Sequence, residues 1–165
     1  MKLRWVSALL VAVAGLALYA GNVLATTPPV VTSTILAKSL FQPMQVFGNV
    51  PSIPWRVRLR THGLSDVYVV DNKLDPGSDT GWHSHPGPSL IMVVAGTVTN
   101  YMGDDPSCTP HVYTAGMGFV DPGGGDVHIL RNETSAQAET IAVQLLPKDA
   151  PRKIDVTPAP GNCPF

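Results

Sequence analysis

The sequence predicts an all-β protein of one domain, on three observations. Short apolar runs follow one another, each closed by turn residues, and beyond residue 25 no long segment keeps a 3.6-residue period. The 15 glycines and 16 prolines are scattered through the chain, as turns between short strands require. A length of 165 residues suits a single core.

The elements follow in chain order. Lys2 and Arg4 precede an apolar stretch from Val6 to Leu18, and Val23-Leu24-Ala25 forms a small-residue cleavage site, so residues 1–25 read as a signal peptide. The apolar stretch is shorter than the roughly 20 residues that span a bilayer. Membrane contact is therefore expected to be transient and the mature chain to be secreted or periplasmic; an uncleaved N-terminal anchor is the rival reading. Residues 26–61 read as an N-terminal arm with edge strands, one near Ser33 to Ala37 and one from Trp55 to Arg60. In the second, Trp55, Val57 and Leu59 alternate with Arg56, Arg58 and Arg60. A charged outer face is the ordinary meaning of that arginine stripe.

The barrel proper is expected over residues 62–147. Its strands are Asp66 to Val70, Ser89 to Ala95, Thr97 to Met102, Val112 to Ala115, Gly118 to Val120, Val127 to Arg131 and Glu139 to Leu146. This spacing predicts an all-β sandwich or barrel. Residues 148–165 read as an irregular C-terminal tail. Cys108 and Cys163 are the only cysteines, and in an oxidising compartment an even pair is expected to form a disulfide.

Charge excludes one class of partner. Acidic and basic residues number 12 and 11, and Lys2 and Arg4 lie at the extreme N-terminus. No basic field remains to hold nucleic acid. No Ser-His-Asp spacing is present, and Gly123-Gly124-Gly125 lacks the helix and lysine of a phosphate loop.

The chemistry concentrates in three histidines. His83 and His85 stand two apart, so on extended chain they project to one face. His128 begins a later strand, after the turn Asp121-Pro122-Gly123-Gly124-Gly125-Asp126. Neutral imidazoles suit Fe, Mn, Zn, Ni or Cu, and a three-histidine site leaves coordination positions open for water or substrate. One divalent metal ion on His83, His85 and His128 is therefore expected. Trp82 points to the opposite face and reads as core. His62 and His111 read as surface residues. Ile91, Val93 and Leu130 share faces with Ser89 and His128, and are expected to line an apolar barrel interior that takes a small-molecule ligand.

Two spaced motifs surround these residues. Gly77, His83-x-His85 and Gly96 resemble the first motif of the cupin superfamily; Gly116, Pro122-x-Gly124, His128 and Asn132 resemble the second. The resemblance covers residues 62–147 and implies a cupin-type β-barrel (a double-stranded β-helix or jelly roll), a metal site, and a homodimer as one arrangement, with the arm as a swapped edge strand. The sequence departs from the pattern twice. Ser89 stands where the family places a glutamate ligand, leaving the fourth-ligand slot vacant. One extra residue lies between Pro122 and His128, which brings Asp126 into question as a substitute ligand or proton acceptor; a solvated turn residue is the alternative. The resemblance implies a metal-dependent oxygenase of a small organic acid or diketone, with a non-catalytic small-molecule or metal-binding module and a structural protein as alternatives. An oxygenase needs an acid or base beside the metal, and only Asp126, Asp121 or Tyr101 offers one.

Overall fold

A computed structural model describes residues 28–165. The signal peptide expected over residues 1–25 lies outside the described residues. Twelve strands are present and, among the described residues, no helix. They are β1 (Val31–Phe41), β2 (Gln45–Val50), β3 (Trp55–Arg60), β4 (Ser65–Leu74), β5 (His83–Ser84) and β6 (Ser89–Ala95). β7 (Thr97–Met102), β8 (His111–Thr114), β9 (Gly118–Asp121), β10 (His128–Arg131), β11 (Ala138–Pro147) and β12 (Ile154–Asp155) follow.

Two five-stranded antiparallel sheets form the barrel, ordered β1-β4-β11-β6-β9 and β12-β5-β10-β7-β8. Strands β2 and β3 form a separate two-stranded ribbon. Strands β3, β6 and β7 occupy the residues that periodicity predicts, whereas β1 and β4 run longer at both ends because they pair with each other over their whole length, from Val31–Leu74 to Phe41–Ser65. Two strands were not legible. β2 is recruited only by pairing with β3, and β12 only by pairing with β5.

Alternation decides burial wherever a second sheet lies opposite. In β11, Ala138, Thr140, Ala142, Gln144 and Leu146 are buried and the residues between them are half-buried. In β6, Ser89, Ile91 and Val93 turn inward while Leu90 and Met92 are exposed. The core joins both sheets: Leu74, Val93 and Ala138 from the first pack against Val98 and Leu130 from the second. A smaller cluster lies on the outer face of the second sheet, where Trp82, Tyr101 and Ile129 meet Cys163 of the C-terminal tail. Trp82 is thus core, as its parity predicts. A Cys108–Cys163 disulfide fastens the tail there, and the ring of Phe165 stacks beside Trp82 at a centroid distance of 6.5 Å.

Two motif residues owe their identity to the turns. Gly96 links β6 to β7 at φ +70, and a Cβ there would stand 2.7 Å from the Gln137 carbonyl oxygen, which excludes any larger residue. Asn132 is buried after β10; its amide donates to the carbonyls of Leu74 (2.9 Å) and Ala136 (2.8 Å), joining the ends of β4 and β10.

Candidate metal centre

The three histidines come together by register. His128 on β10 lies directly across from His83 on β5, and facing residues of an antiparallel pair share a side of the sheet. His85 follows His83 by two residues on extended chain, and the rings of these two stand 4.8 Å apart. One nitrogen from each of His83, His85 and His128 lies within 4.8 Å of the others, and all three residues are buried.

Hydrogen bonds fix the orientation of two of the rings. The carbonyl of Gly81 can only accept, so His83 Nδ1 carries a proton and donates to it at 2.8 Å. His85 Nδ1 donates likewise to the carbonyl of Arg152. In both rings Nε2 therefore keeps its lone pair for an ion. Burial, reinforced by His128 beside it, lowers the pKa of His83 to about 3. Burial and the neighbouring His85 lower that of His128 to about 4. His83 and His128 are therefore neutral at physiological pH, as metal ligation requires. Three buried polar atoms here also lack any partner within the protein: His128 Nδ1, Asp121 Oδ2 and Ser89 Oγ. Native interiors seldom leave such atoms unmet, and a divalent ion fits the donor set.

The carboxylate beside the histidines is Asp121, not Asp126. Asp126 is exposed. Gly123, Gly124 and Gly125 all take positive φ (67°, 69° and 108°), so the chain turns before β10 and Asp126 never joins the strand face of His128. The extra residue is absorbed in that turn. Asp121, 4% exposed at the end of β9, lies 3.7 Å from His85 Nε2 and 3.8 Å from His128 Nδ1. Its Oδ1 accepts from the amide of Gly123 at 3.0 Å. Burial raises its pKa, opposed by that amide and by His85. Gly123 itself passes so close to Gly87 that a Cβ would meet the Gly87 carbonyl oxygen at 2.2 Å. That approach lets the Gly124 amide donate to the His85 carbonyl at 2.9 Å, tying the two motif loops together.

Tyr101 plays no part in the site: its hydroxyl donates to Glu133 on the outer face. Ser89 is buried (1% exposed) and faces the histidines' cavity. His62 and His111 are exposed, as expected.

A cavity of about 460 Å³ opens over His83, His85, His128 and Ser89. Ile91 and Leu130 line it as parity predicts, whereas Val93 packs in the core beneath. The lining is more polar than the sequence suggests. Thr140 and Gln144 of β11 reach it, and both sit at inward positions of a strand whose alternation is readable. Arg152 and Lys153 also line it. They come from the tail, which carries no periodic signal. β12 pairs Asp155 with His83 and Ile154 with Ser84, bringing the tail to the histidines. The Arg152 guanidinium donates to Gln144 Oε1 at 3.1 Å.

Such a barrel, with three histidines converging at one end of its interior in an arrangement able to hold a metal ion, is of the double-stranded β-helix kind. A family model described as a cupin domain matches residues 72–144, and this match supports the cupin superfamily. Solved structures similar to it include a cupin superfamily protein from Desulfitobacterium hafniense (13% identity, 70% of this chain and 77% of that one, TM-score 0.47). A cupin domain from Bordetella pertussis matches at 15% identity over 73% of this chain and 97% of that one (TM-score 0.47). A DMSP lyase from Ruegeria pomeroyi matches at 15% identity over 56% of this chain, which spans 44% of that enzyme (TM-score 0.48). Among curated proteins, none matches the sequence.

Proposed function

We propose that this is an exported cupin that holds one divalent metal ion on His83, His85 and His128 and binds a small organic anion over it. The observation that carries the reading is the buried histidine cluster opening into a cavity on which Arg152 and Lys153 also lie. Bound there, the ion supplies Lewis acidity and a template for an oxygen ligand. The protein's own residues hold His83 and His85 in one tautomer and bring two cations toward the ligand. The signal peptide read in residues 1–25 supports export, and the Cys108–Cys163 bridge is in keeping with an oxidising compartment.

Binding is the better supported half of this reading. Asp126 is exposed, Tyr101 faces away, and Asp121 lies beside the histidines rather than on the cavity wall. No general acid or base of the three expected candidates therefore meets a ligand in the cavity. Turnover as an oxygenase stays a second reading, favoured by the open side of the histidine cluster facing the cavity.

Metal analysis of protein purified from its native compartment, alongside His83→Ala, tests the proposal. About one equivalent of metal in the wild type, lost in the variant together with binding of small carboxylates, is expected. A metal-free native protein whose carboxylate binding survives His83→Ala sinks it. Oxygen uptake with diketones, dihydroxybenzoates and thiols then separates binding from turnover.

A further inference from the structure

We infer that Asp121 supplies the metal ligand that Ser89 does not: the carboxylate of this centre has moved across one strand pair. The inference rests on the metal-binding reading above and adds a residue to it.

The register makes the exchange direct. Ser89 on β6 and Asp121 on β9 are facing partners in the first sheet, just as His83 and His128 are in the second. Facing side chains of an antiparallel pair stand about 5 Å apart on the same side. A carboxylate at either position of the Ser89–Asp121 pair therefore serves the same end of the barrel. Both side chains are buried, and Ser89 Oγ and Asp121 Oδ2 both lack a partner.

The surroundings of Asp121 ask for a cation. Among the described residues no lysine or arginine pairs with it; its nearest chargeable neighbours are the imidazoles of His85 and His128. One oxygen is held by the Gly123 amide while the other is unmet. A buried carboxylate without a counter-ion is costly. Its distances to the two imidazole nitrogens, 3.7 and 3.8 Å, are too long for hydrogen bonds. The 3.7 Å from the free Oδ2 to His85 Nε2 lies a few tenths above the roughly 3–3.5 Å that separates two ligands of one ion, each held about 2.1 Å from it, whereas the 3.8 Å to His128 Nδ1 is measured from Oδ1, the oxygen that the Gly123 amide holds. The same pairing explains why Ser89 suffices: with Asp121 facing it, a second carboxylate would place two like charges side by side. The +2 ion then carries a net +1 with its ligands.

The rival role for Asp121 is to accept a proton from His128 Nδ1 without touching metal. Asparagine keeps an acceptor oxygen and removes the charge, so Asp121→Asn separates the two. Titration calorimetry with Mn2+ and Co2+ is run on the full mature chain of the wild type, His83→Ala, Asp121→Asn and the exchanged variant Asp121→Ser/Ser89→Glu. Circular dichroism confirms that each folds. Asp121→Asn is expected to weaken metal binding at least thirtyfold, and the exchanged variant to restore it to within about fivefold of the wild type. The visible spectrum of bound Co2+ is expected to change in Asp121→Asn and to return in the exchanged variant.

Wild-type affinity in Asp121→Asn, or no recovery in a folded exchanged variant, overturns the inference while leaving the three-histidine site standing. No metal binding by the wild type removes both. Loss only in His83→Ala removes this one alone.

Discussion

The histidine end of the barrel and the β2–β3 ribbon are written in the same alternating code but differ in outcome. In β6, Ser89, Ile91 and Val93 face inward and are buried to 8% exposure or less. In β3, Trp55, Val57 and Leu59 alternate just as strictly, and their ribbon partners Val50, Gly48 and Val46 complete an apolar face. Yet Trp55 is 52% exposed and Val46 49%. Among the described residues the ribbon pairs with no other strand. Period tells which residues share a face. It does not tell whether that face meets a partner, because burial needs a second layer that the period does not encode.

Four measurements can break or sharpen this contrast, from the largest effect to the smallest. Leu74 is fully buried in the core shared by both sheets, so Leu74→Ala is expected to lower unfolding free energy by about 2–5 kcal/mol in chemical denaturation. A loss below 1 kcal/mol would mean that the two sheets do not enclose one core. The paired change Cys108→Ser/Cys163→Ser is expected to cost about 2–4 kcal/mol. It should also weaken metal binding about tenfold, because the tail that it frees carries the carbonyl accepting from His85 Nδ1. Unchanged affinity would show that β12 stays docked without the bridge.

The third concerns pH. His83 and His128 have folded pKa values of about 3 and 4, below the unfolded value near 6.5. Between those limits the unfolded chain binds the extra protons, so stability rises with pH and is lost on acidification. Below pH 6.5 each histidine is expected to weaken the metal-free fold by at most about 1.4 kcal/mol per pH unit. Melting of metal-stripped protein at pH 7, 6 and 5 measures it. The slope should shrink in His128→Ala; a flat profile in the wild type contradicts neutral burial of the pair.

The smallest effect belongs to the ribbon. Trp55→Ala is expected to change stability by less than about 0.5 kcal/mol. Phe41 and Ser65 are paired neighbours at the ends of β1 and β4, so a short turn replacing residues 43–63 should leave metal affinity within twofold. A large loss in either case would place the ribbon against the barrel.

Much of the site was legible because its signals are local. His83 and His85 share a face by parity alone, and Ser89 shows as the missing carboxylate from motif spacing. Asp121 was visible only as one of three acid or base candidates, and Asp126 drew attention because it stands two residues before His128. That rule holds for continuous strand, and three glycines at positive φ remove the strand. Arg152 could not be found at all. Its place depends on the tail returning across the barrel, for which no periodicity exists to read.

The chain's own order of residues therefore determined the all-β class, most strand positions, the three histidines and the cysteine pair. Each of these follows from side-chain parity, turn chemistry or residue type within a short window. Tertiary structure decided which carboxylate stands beside the histidines, how the tail closes over them and which apolar faces are covered. Those depend on the registers Ser89–Asp121, His83–His128 and His83–Asp155. Register is settled by how distant strands pack together, and no local pattern carries it.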